Sequence, residues 1–320
     1  MEIVFGPVPS RRLGLSLGID LVPLKTCSLD CIYCELGRTA APVADRAEYI
    51  PWQKIAAEIR SCFRPQDGTS PPQPDFITLS GSGEPTLNLA LPRVVAELKT
   101  LSPAPLALLT NGTLFSDPEV RSEVADIDVI LPSLDTVSED IFRALNRPAP
   151  GLTAAGLVRG LVELRREFNG EIWLEILFCH GLNDHPAEIE RLAAACREIR
   201  PDRIQLNTVV RPGTLSSARP VSFGFLETIR PTFGKHAEII VSFASASTDT
   251  TPVEKRLETI LATLKRRPCT ATDLEKALGL KPAETIKMLD LLREKGEIES
   301  RTHEGREYFT VPEGKGESAT

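Results

Sequence analysis

The sequence has no run of eighteen apolar residues and no basic stretch leading into an apolar one at its start, so neither a membrane-spanning helix nor a secretory signal is expected. It has no surplus of positive charge. With 37 Lys plus Arg against 44 Asp plus Glu, the net charge of −7 argues against a chain whose main role is to coat nucleic acid or an anionic membrane. No cysteine precedes Cys27, and beyond an alternation of strands and helices there is no internal repeat or low-complexity tract. A cytoplasmic location is the expectation, and in a reducing compartment the seven cysteines should be free, catalytic or metal-bound rather than bridged. At 320 residues, 42% hydrophobic and 25% charged, the chain has room for a substantial core in one large domain or in a large domain plus a small one.

The order of patterns is strand, helix, strand up to about residue 243. Strand-like runs "DFITLS" (75–80), "LALLTN" (106–111), "DVILPSL" (128–134), "EIWLEILFC" (171–179), "RIQLNTVV" (203–210) and "AEIIVSF" (237–243) follow a first one in "LSLGIDLVP". Between them lie helical patterns such as "PWQKIAAEIRSCF" and "PAEIERLAAACREIR", apolar at spacings of three and four. Such alternation predicts a parallel α/β sheet, here a partial (β/α)6-type TIM barrel, with chemistry at the carboxyl ends of the strands. The Pro-rich stretch 64–75 reads as a surface loop, and 244–252 as a linker after a core domain of 1–243. Beyond it, helices at 253–266, 270–278 and 282–295 and a two-strand ribbon at 296–311 predict a small winged helix-turn-helix domain over 253–312, with 313–320 a disordered tail.

The one cysteine cluster is "KTCSLDCIYCELG", which puts Cys27, Cys31 and Cys34 on a loop after the first strand pattern. Three thiolates at these spacings suit three corners of a cubane iron–sulfur cluster and leave the fourth iron open to a chelating molecule. A zinc loop completed by Cys179 or His180 is the alternative, although zinc ligands usually come as two pairs. The second strand pattern ends in "LSGSGEPTL", where Gly81, Ser82 and Gly83 expose backbone groups beside Glu84; a plain strand-to-helix turn with Pro85 fits the same residues. Asn111 closes the third strand, and Ser133 and Asp135 follow the fourth. Glu175 and Cys179 share one face of the fifth by the period of two. Cys62 and Cys196 lie in helical patterns, where a buried inert thiol is the default.

Cys-x3-Cys-x2-Cys, with the aromatic Tyr33 before its last cysteine, resembles the signature of the radical S-adenosylmethionine superfamily. The resemblance covers about residues 6–243. It implies a [4Fe-4S] cluster on Cys27, Cys31 and Cys34, with the amino and carboxylate groups of S-adenosylmethionine on its fourth iron. Reductive cleavage there would yield a 5′-deoxyadenosyl radical that abstracts hydrogen, as an oxidoreductase- or lyase-type enzyme does. Gly81, Ser82, Gly83 and Glu84 resemble the family's Gly-Gly-Glu motif, with Ser82 in place of the second glycine, and take the amino-group role. Ser133 and Asp135 are implied ribose contacts, while Asn111 and Tyr33 complete the expected cofactor set. A low-potential electron donor of flavodoxin or ferredoxin type is the implied partner. Residues 6–40 and "RPG" at 211–213 look specifically like the subgroup related to the wyosine-synthesis enzymes that modify a tRNA guanosine, which makes Arg11, Arg12 and Arg211 candidates for an anionic group. Those enzymes carry further N-terminal cysteines for a second cluster. This chain has none, so one cluster is expected.

The region 253–312 holds twelve Lys plus Arg and eleven Asp plus Glu, a balance poor for DNA contact. On its last helix Ile286, Leu289 and Leu292 have core spacing, and Lys287, Asp290, Arg293 and Glu294 form a mixed outer face. Docking of a substrate or protein partner is favoured over nucleic acid. An iron–sulfur or metal-sensing DNA-binding regulator is the competing function, and it leaves the strand-end motifs unexplained.

Overall fold

Among residues 3–10, 12–64, 72–211, 213–240, 253–278, 280 and 282–312, which a computed structural model describes, the chain forms one eight-stranded sheet and one two-stranded ribbon. Arg11, the linker, the tail and residues 65–71 of the Pro-rich loop lie outside the described residues. In chain order the elements of the large sheet and its helices are β1 (Val4–Ser10), β2 (Gly14–Ile19), α1 (Trp52–Phe63), β3 (Phe76–Leu79), α2 (Leu91–Leu101), β4 (Leu106–Thr110), α3 (Pro118–Glu123), β5 (Val129–Pro132), α4 (Glu139–Leu145), α5 (Ala154–Glu167), β6 (Glu171–Phe178), α6 (Pro186–Ile199), β7 (Arg203–Thr208), α7 (Phe223–Ile229) and β8 (Ala237–Ile239). Strands β2 to β8 pair in sequence order and in parallel, as the alternation predicts. Seven parallel strands are one more than a (β/α)6 unit has, and β1 adds an eighth that runs antiparallel to β2 at the sheet edge.

The period of two divides each strand between two environments. Ile77, Leu79, Leu106, Leu108, Ile130, Ile172, Leu174, Ile204 and Leu206 join Ile55, Val94, Leu98, Leu161 and Leu192 of the helices in one core. Each such fully buried aliphatic side chain stabilises the fold by about 2 kcal/mol. The alternate residues Phe76, Ala107, Leu109, Val129, Leu131 and Trp173 form a separate cluster with Leu13 of the β1–β2 turn. Polar inward groups lie on the same face: Ser16 bonds Thr78, and Gln205 donates to Glu238 at 3.0 Å. Helix starts follow local chemistry. Thr153 caps α5 by accepting from Gly156 N at 3.0 Å, Ser222 caps α7 through Phe225 N at 3.1 Å, and Pro186 opens α6 where no N–H is needed.

The C-terminal part contains α8 (Val253–Arg266), α9 (Ala271–Leu278), α10 (Pro282–Glu294) and the antiparallel pair β9 (Glu299–His303) and β10 (Arg306–Thr310). It has its own core of Ile260, Leu264, Cys269, Leu274, Met288, Leu289, Leu292, Ile298 and Phe309. Ile286, expected in that core, is 53% exposed, because Met288 takes the inward position instead. Contacts between the C-terminal part and the barrel include the following. Arg266 stacks over Phe5 of β1 at 3.8 Å, and Tyr308 Oη donates to Val210 O, just after β7, at 2.6 Å.

Candidate active site

The cysteine loop follows β2 and is fixed by its neighbours' backbones. Lys25, in the left-handed region at φ 64°, donates its N–H to Ser82 O at 2.6 Å, and Glu84 N donates to Thr26 O at 2.9 Å. The strand end at 81–84 therefore lies flat on residues 25–26. Only glycine fits at 83, since a Cβ there would come 1.9 Å from Thr26 O. Ser82 stands where the motif suggests glycine, and its side chain is used: the hydroxyl and the N–H both bond the buried Asp20 at the end of β2.

All three cysteines of the loop are free thiols. Asn111 Nδ2 and Leu29 N each point at Cys27 Sγ from 3.5 Å, and Asn146 Nδ2 at Cys31 Sγ from 3.4 Å. Burial pushes the Cys27 thiol up to about 12 and Cys34 to about 11, and raises Cys31 well above its ordinary value; nearby acid groups and the other thiols of the trio add to it. Three half-buried thiols this close would repel one another once ionised, so a cation is what lets all three become thiolates, and the N–H groups aimed at sulfur suit thiolate. That donor set fits a cubane held at three corners. The remote partners that a zinc loop would need, Cys179 and His180, are engaged elsewhere. Cys179 is buried with its N–H on Asn183, and His180 pairs with Asp184 at 2.9 Å.

The acidic residues of the mouth are largely engaged by the chain itself. Glu84 accepts from Thr86 N, Thr86 Oγ1, Thr110 Oγ1 and Asn111 N, all within 3.1 Å. Burial raises its pKa, and those hydrogen bonds oppose the rise. Glu84 thus ties the ends of β3 and β4 together, and a ligand ammonium would share Oε2, which accepts one bond. Asp135 accepts from the Tyr33 hydroxyl, from Asn146 Nδ2 at 2.8 Å and from Leu177 N at 3.0 Å; burial carries its carboxyl up to about 6 against these bonds. Tyr33 is correspondingly turned toward Asp135 rather than outward. Ser133 stands half-buried on the inward face next to Glu175. Its hydroxyl has no chain partner among the described residues.

Arg12 and Arg211, the arginines read as anion candidates, are held by carboxylates. Arg12 reaches Glu175 at 2.5 Å inside the barrel, where Asn207 also donates to Glu175 at 2.8 Å. Arg211 lies between Glu35, one residue past Cys34, at 3.2 Å and Asp273 of α9 at 4.0 Å. Gly213 of the same loop packs so closely that a Cβ would meet Tyr33 Cα at 2.7 Å. Asp20, Asn146 and Asn183 are buried polar residues of the site that the sequence did not single out, because their partners are distant in the chain. A polar recess of about 470 Å³ at the opposite barrel end, lined by Asp128, Arg165 and Asp202, has none of this chemistry.

Parallel strands ending in a three-thiol loop and a small-residue turn define a barrel built to hold an iron–sulfur centre and a small cationic ligand. Residues 21–193 match the model of the Radical SAM superfamily, and the chain belongs to that superfamily. It is 33% identical over 310 residues to a protein of Brachyspira hyodysenteriae named GTPase Obg, covering 96% of this chain and 45% of that one; the chain thus spans less than half of that relative. A UPF0026 protein of Methanocaldococcus jannaschii is 32% identical over 73% of this chain and 72% of its own length. Among solved structures, a radical SAM methyltransferase from Sphaerobacter thermophilus superposes with a TM-score of 0.50 at 18% identity, over 70% of this chain and 65% of that one. Native anSMEcpe with bound AdoMet gives 0.51 at 15%, over 80% and 71%; both show the shared fold. The superfamily's cofactors, a [4Fe-4S] cluster and S-adenosylmethionine, are those of this chain, and such enzymes need a reductant. No helix among the described residues is long and apolar enough to cross a membrane.

Proposed function

We propose that this protein is an enzyme in which Cys27, Cys31 and Cys34 hold the cluster and the ends of β3, β4 and β5 hold S-adenosylmethionine. When bound, the two would supply a one-electron reductive cleavage of a carbon–sulfur bond, and with it the means to take a hydrogen atom from a substrate. The chain's part is to bind and to exclude. Gly81, Ser82 and Gly83 offer backbone groups to the ligand's ammonium, Glu84 keeps them in register with Asn111, and the Ser133 hydroxyl is the group left to meet a ribose. Asp135 and Tyr33 hold the Asn146 amide on Cys31. Arg12, Glu175 and Asn207 supply polar groups inside the barrel.

The observation that carries this reading is the convergence of three half-buried thiols and three N–H donors at one loop beside the glycine turn. The resemblance of residues 6–40 to wyosine-synthesis enzymes supports a tRNA nucleoside as the first substrate to try. The single cysteine trio argues against the wyosine reaction itself. The core at 1–243, the linker and a winged-helix domain at 253–312 are part of the same proposal. The exposed Ile286 and Leu291 of α10, beside ion pairs closed within the module such as Arg293 with Asp290 at 2.6 Å, favour docking of a protein or substrate over nucleic acid. The test is anaerobic reconstitution followed by dithionite and S-adenosylmethionine. Release of 5′-deoxyadenosine in amounts exceeding a cysteine-free variant is expected, and none from a fully iron-loaded sample contradicts the proposal.

A further inference from the structure

The cysteine loop has two flanks, and they are covered differently. On one, Thr214 Oγ1 donates to Cys34 O at 3.2 Å, Leu215 N to Ile32 O at 3.0 Å, and Arg211 binds Glu35, with Asp273 and Tyr308 of the C-terminal part behind them. On the other, residues 145–149 run beside the loop: Ala149 N donates to Ser28 O at 2.8 Å, Asp30 N to Asn146 O at 3.0 Å and Ile32 N to Leu145 O at 3.0 Å. The outer side of that segment opens into a recess of about 500 Å³ lined by Arg38, Arg143, Arg147, Asp30 and the backbone around Gly151. Asn146, which donates to Cys31 Sγ, immediately precedes Arg147. One residue and one hydrogen bond therefore separate the recess from a cluster sulfur.

Three arginines meet two carboxylates there, a local excess of one positive charge on a chain of net charge −7. Arg147 is held by Asp30 at 3.4 Å and Arg143 by Glu139 at 3.1 Å, while Arg38 is exposed and has no ion pair among the described residues. We propose that this recess is the docking face for a negatively charged one-electron carrier protein bearing a reduced flavin or iron–sulfur group. The proposal rests on the function given above. One electron leaves the carrier and crosses by the Asn146–Cys31 contact; no atom or proton crosses with it, the carrier is oxidised by one electron, and the centre on the thiols is reduced by one. A nucleic acid backbone asks for a row of uncompensated cations. Here two of three arginines already carry a carboxylate partner, which suits a small, weak, electrostatically steered contact of the electron-transfer kind.

The test is stopped-flow reduction of the reconstituted full chain by a reduced, acidic bacterial flavodoxin at low salt. Arg38→Glu combined with Arg143→Glu should lower the second-order rate at least about tenfold and flatten its salt dependence. Iron content and photoreduction by a neutral deazaflavin should not change. Arg301→Glu, on β9, should keep the parental rate. An unaltered rate in the double variant, a slowed Arg301→Glu, or a parent chain that flavodoxin reduces no faster than buffer overturns the docking face. So does a double variant that loses binding of a mixed tRNA pool while keeping its flavodoxin rate. Deazaflavin-driven release of 5′-deoxyadenosine in those cases leaves the enzymatic function standing; its absence from iron-loaded protein refutes that function separately.

Discussion

The barrel and the C-terminal part bury different chemistry. At the barrel mouth Asp20, Glu84 and Asp135 are at most 3% exposed, and the half-buried thiols of Cys27 and Cys31 pack against the core beside them. The C-terminal core is nearly all hydrocarbon, and its ion pairs, such as Arg301 with Glu299 at 2.6 Å, lie on the outside. Buried acids and thiols cost stability unless something exploits them. The difference assigns the chemistry to the barrel. It leaves the C-terminal part as a packed unit that meets the barrel at places such as Arg211, Val210 and Phe5.

The sharpest break in that comparison is between cysteines. Cys31→Ala should remove essentially all reconstituted iron, whereas Cys269→Ala, in the other core, should keep it, as read by iron and sulfide analysis under nitrogen. Next in size, Leu274→Ala should destabilise the C-terminal part by about 3 kcal/mol through the cavity it leaves. Limited proteolysis should then cut after residue 252 first, with the cluster absorption of the barrel retained; loss of both together would mean the two regions fold as one.

The cysteine trio and the glycine turn were legible because their residues are near neighbours in the chain, and spacing alone brings them together. The rest of the site was not. Asn146 reaches Cys31 across 115 residues and Ser82 meets Asp20 across 62, so nothing local marks either pair. Glu84, Asp135, Arg12 and Arg211 stand out in the sequence as charged residues near the motifs, but only the folded chain shows that their charges are taken up by its own donors and acids. Parallel strands β2 to β8 were legible as alternation. β1, in "VFGPVPS", was not, since prolines and glycine are rare inside strands and β1 lies at the sheet edge. Ile286 shows a further gap: spacing reports which residues share a face, not whether that face is covered.

Two smaller effects sharpen the comparison. Glu188 of α6 is fully buried; burial alone would raise its pKa, but bonds from Ser138, Thr136, Arg191 and Val137 N overcome this and hold it down to about 2. A lowered folded value means its stabilisation is complete above the ordinary carboxylate pKa and is lost as pH falls toward 2. Glu188→Gln should therefore be less stable than the parent by about 2 kcal/mol at pH 7, discounting for solvent screening, and the gap should close on acidification between pH 4.5 and about 2. Denaturant titrations at several pH values check this. The barrel alone should feel it. Tyr308→Phe removes the bond to Val210 O, and should cost about 1 kcal/mol while loosening the C-terminal part from the barrel, seen as faster amide exchange at residues 209–211.

Electron paramagnetic resonance of the anaerobically reduced protein, before and after S-adenosylmethionine is added, tests the iron site most directly. A spectrum typical of a reduced [4Fe-4S] centre that changes on adding the ligand is the predicted result, since a cluster held by Cys27, Cys31 and Cys34 keeps one iron open. A loop that binds zinc and no iron, or a cluster whose spectrum ignores S-adenosylmethionine, would contradict it.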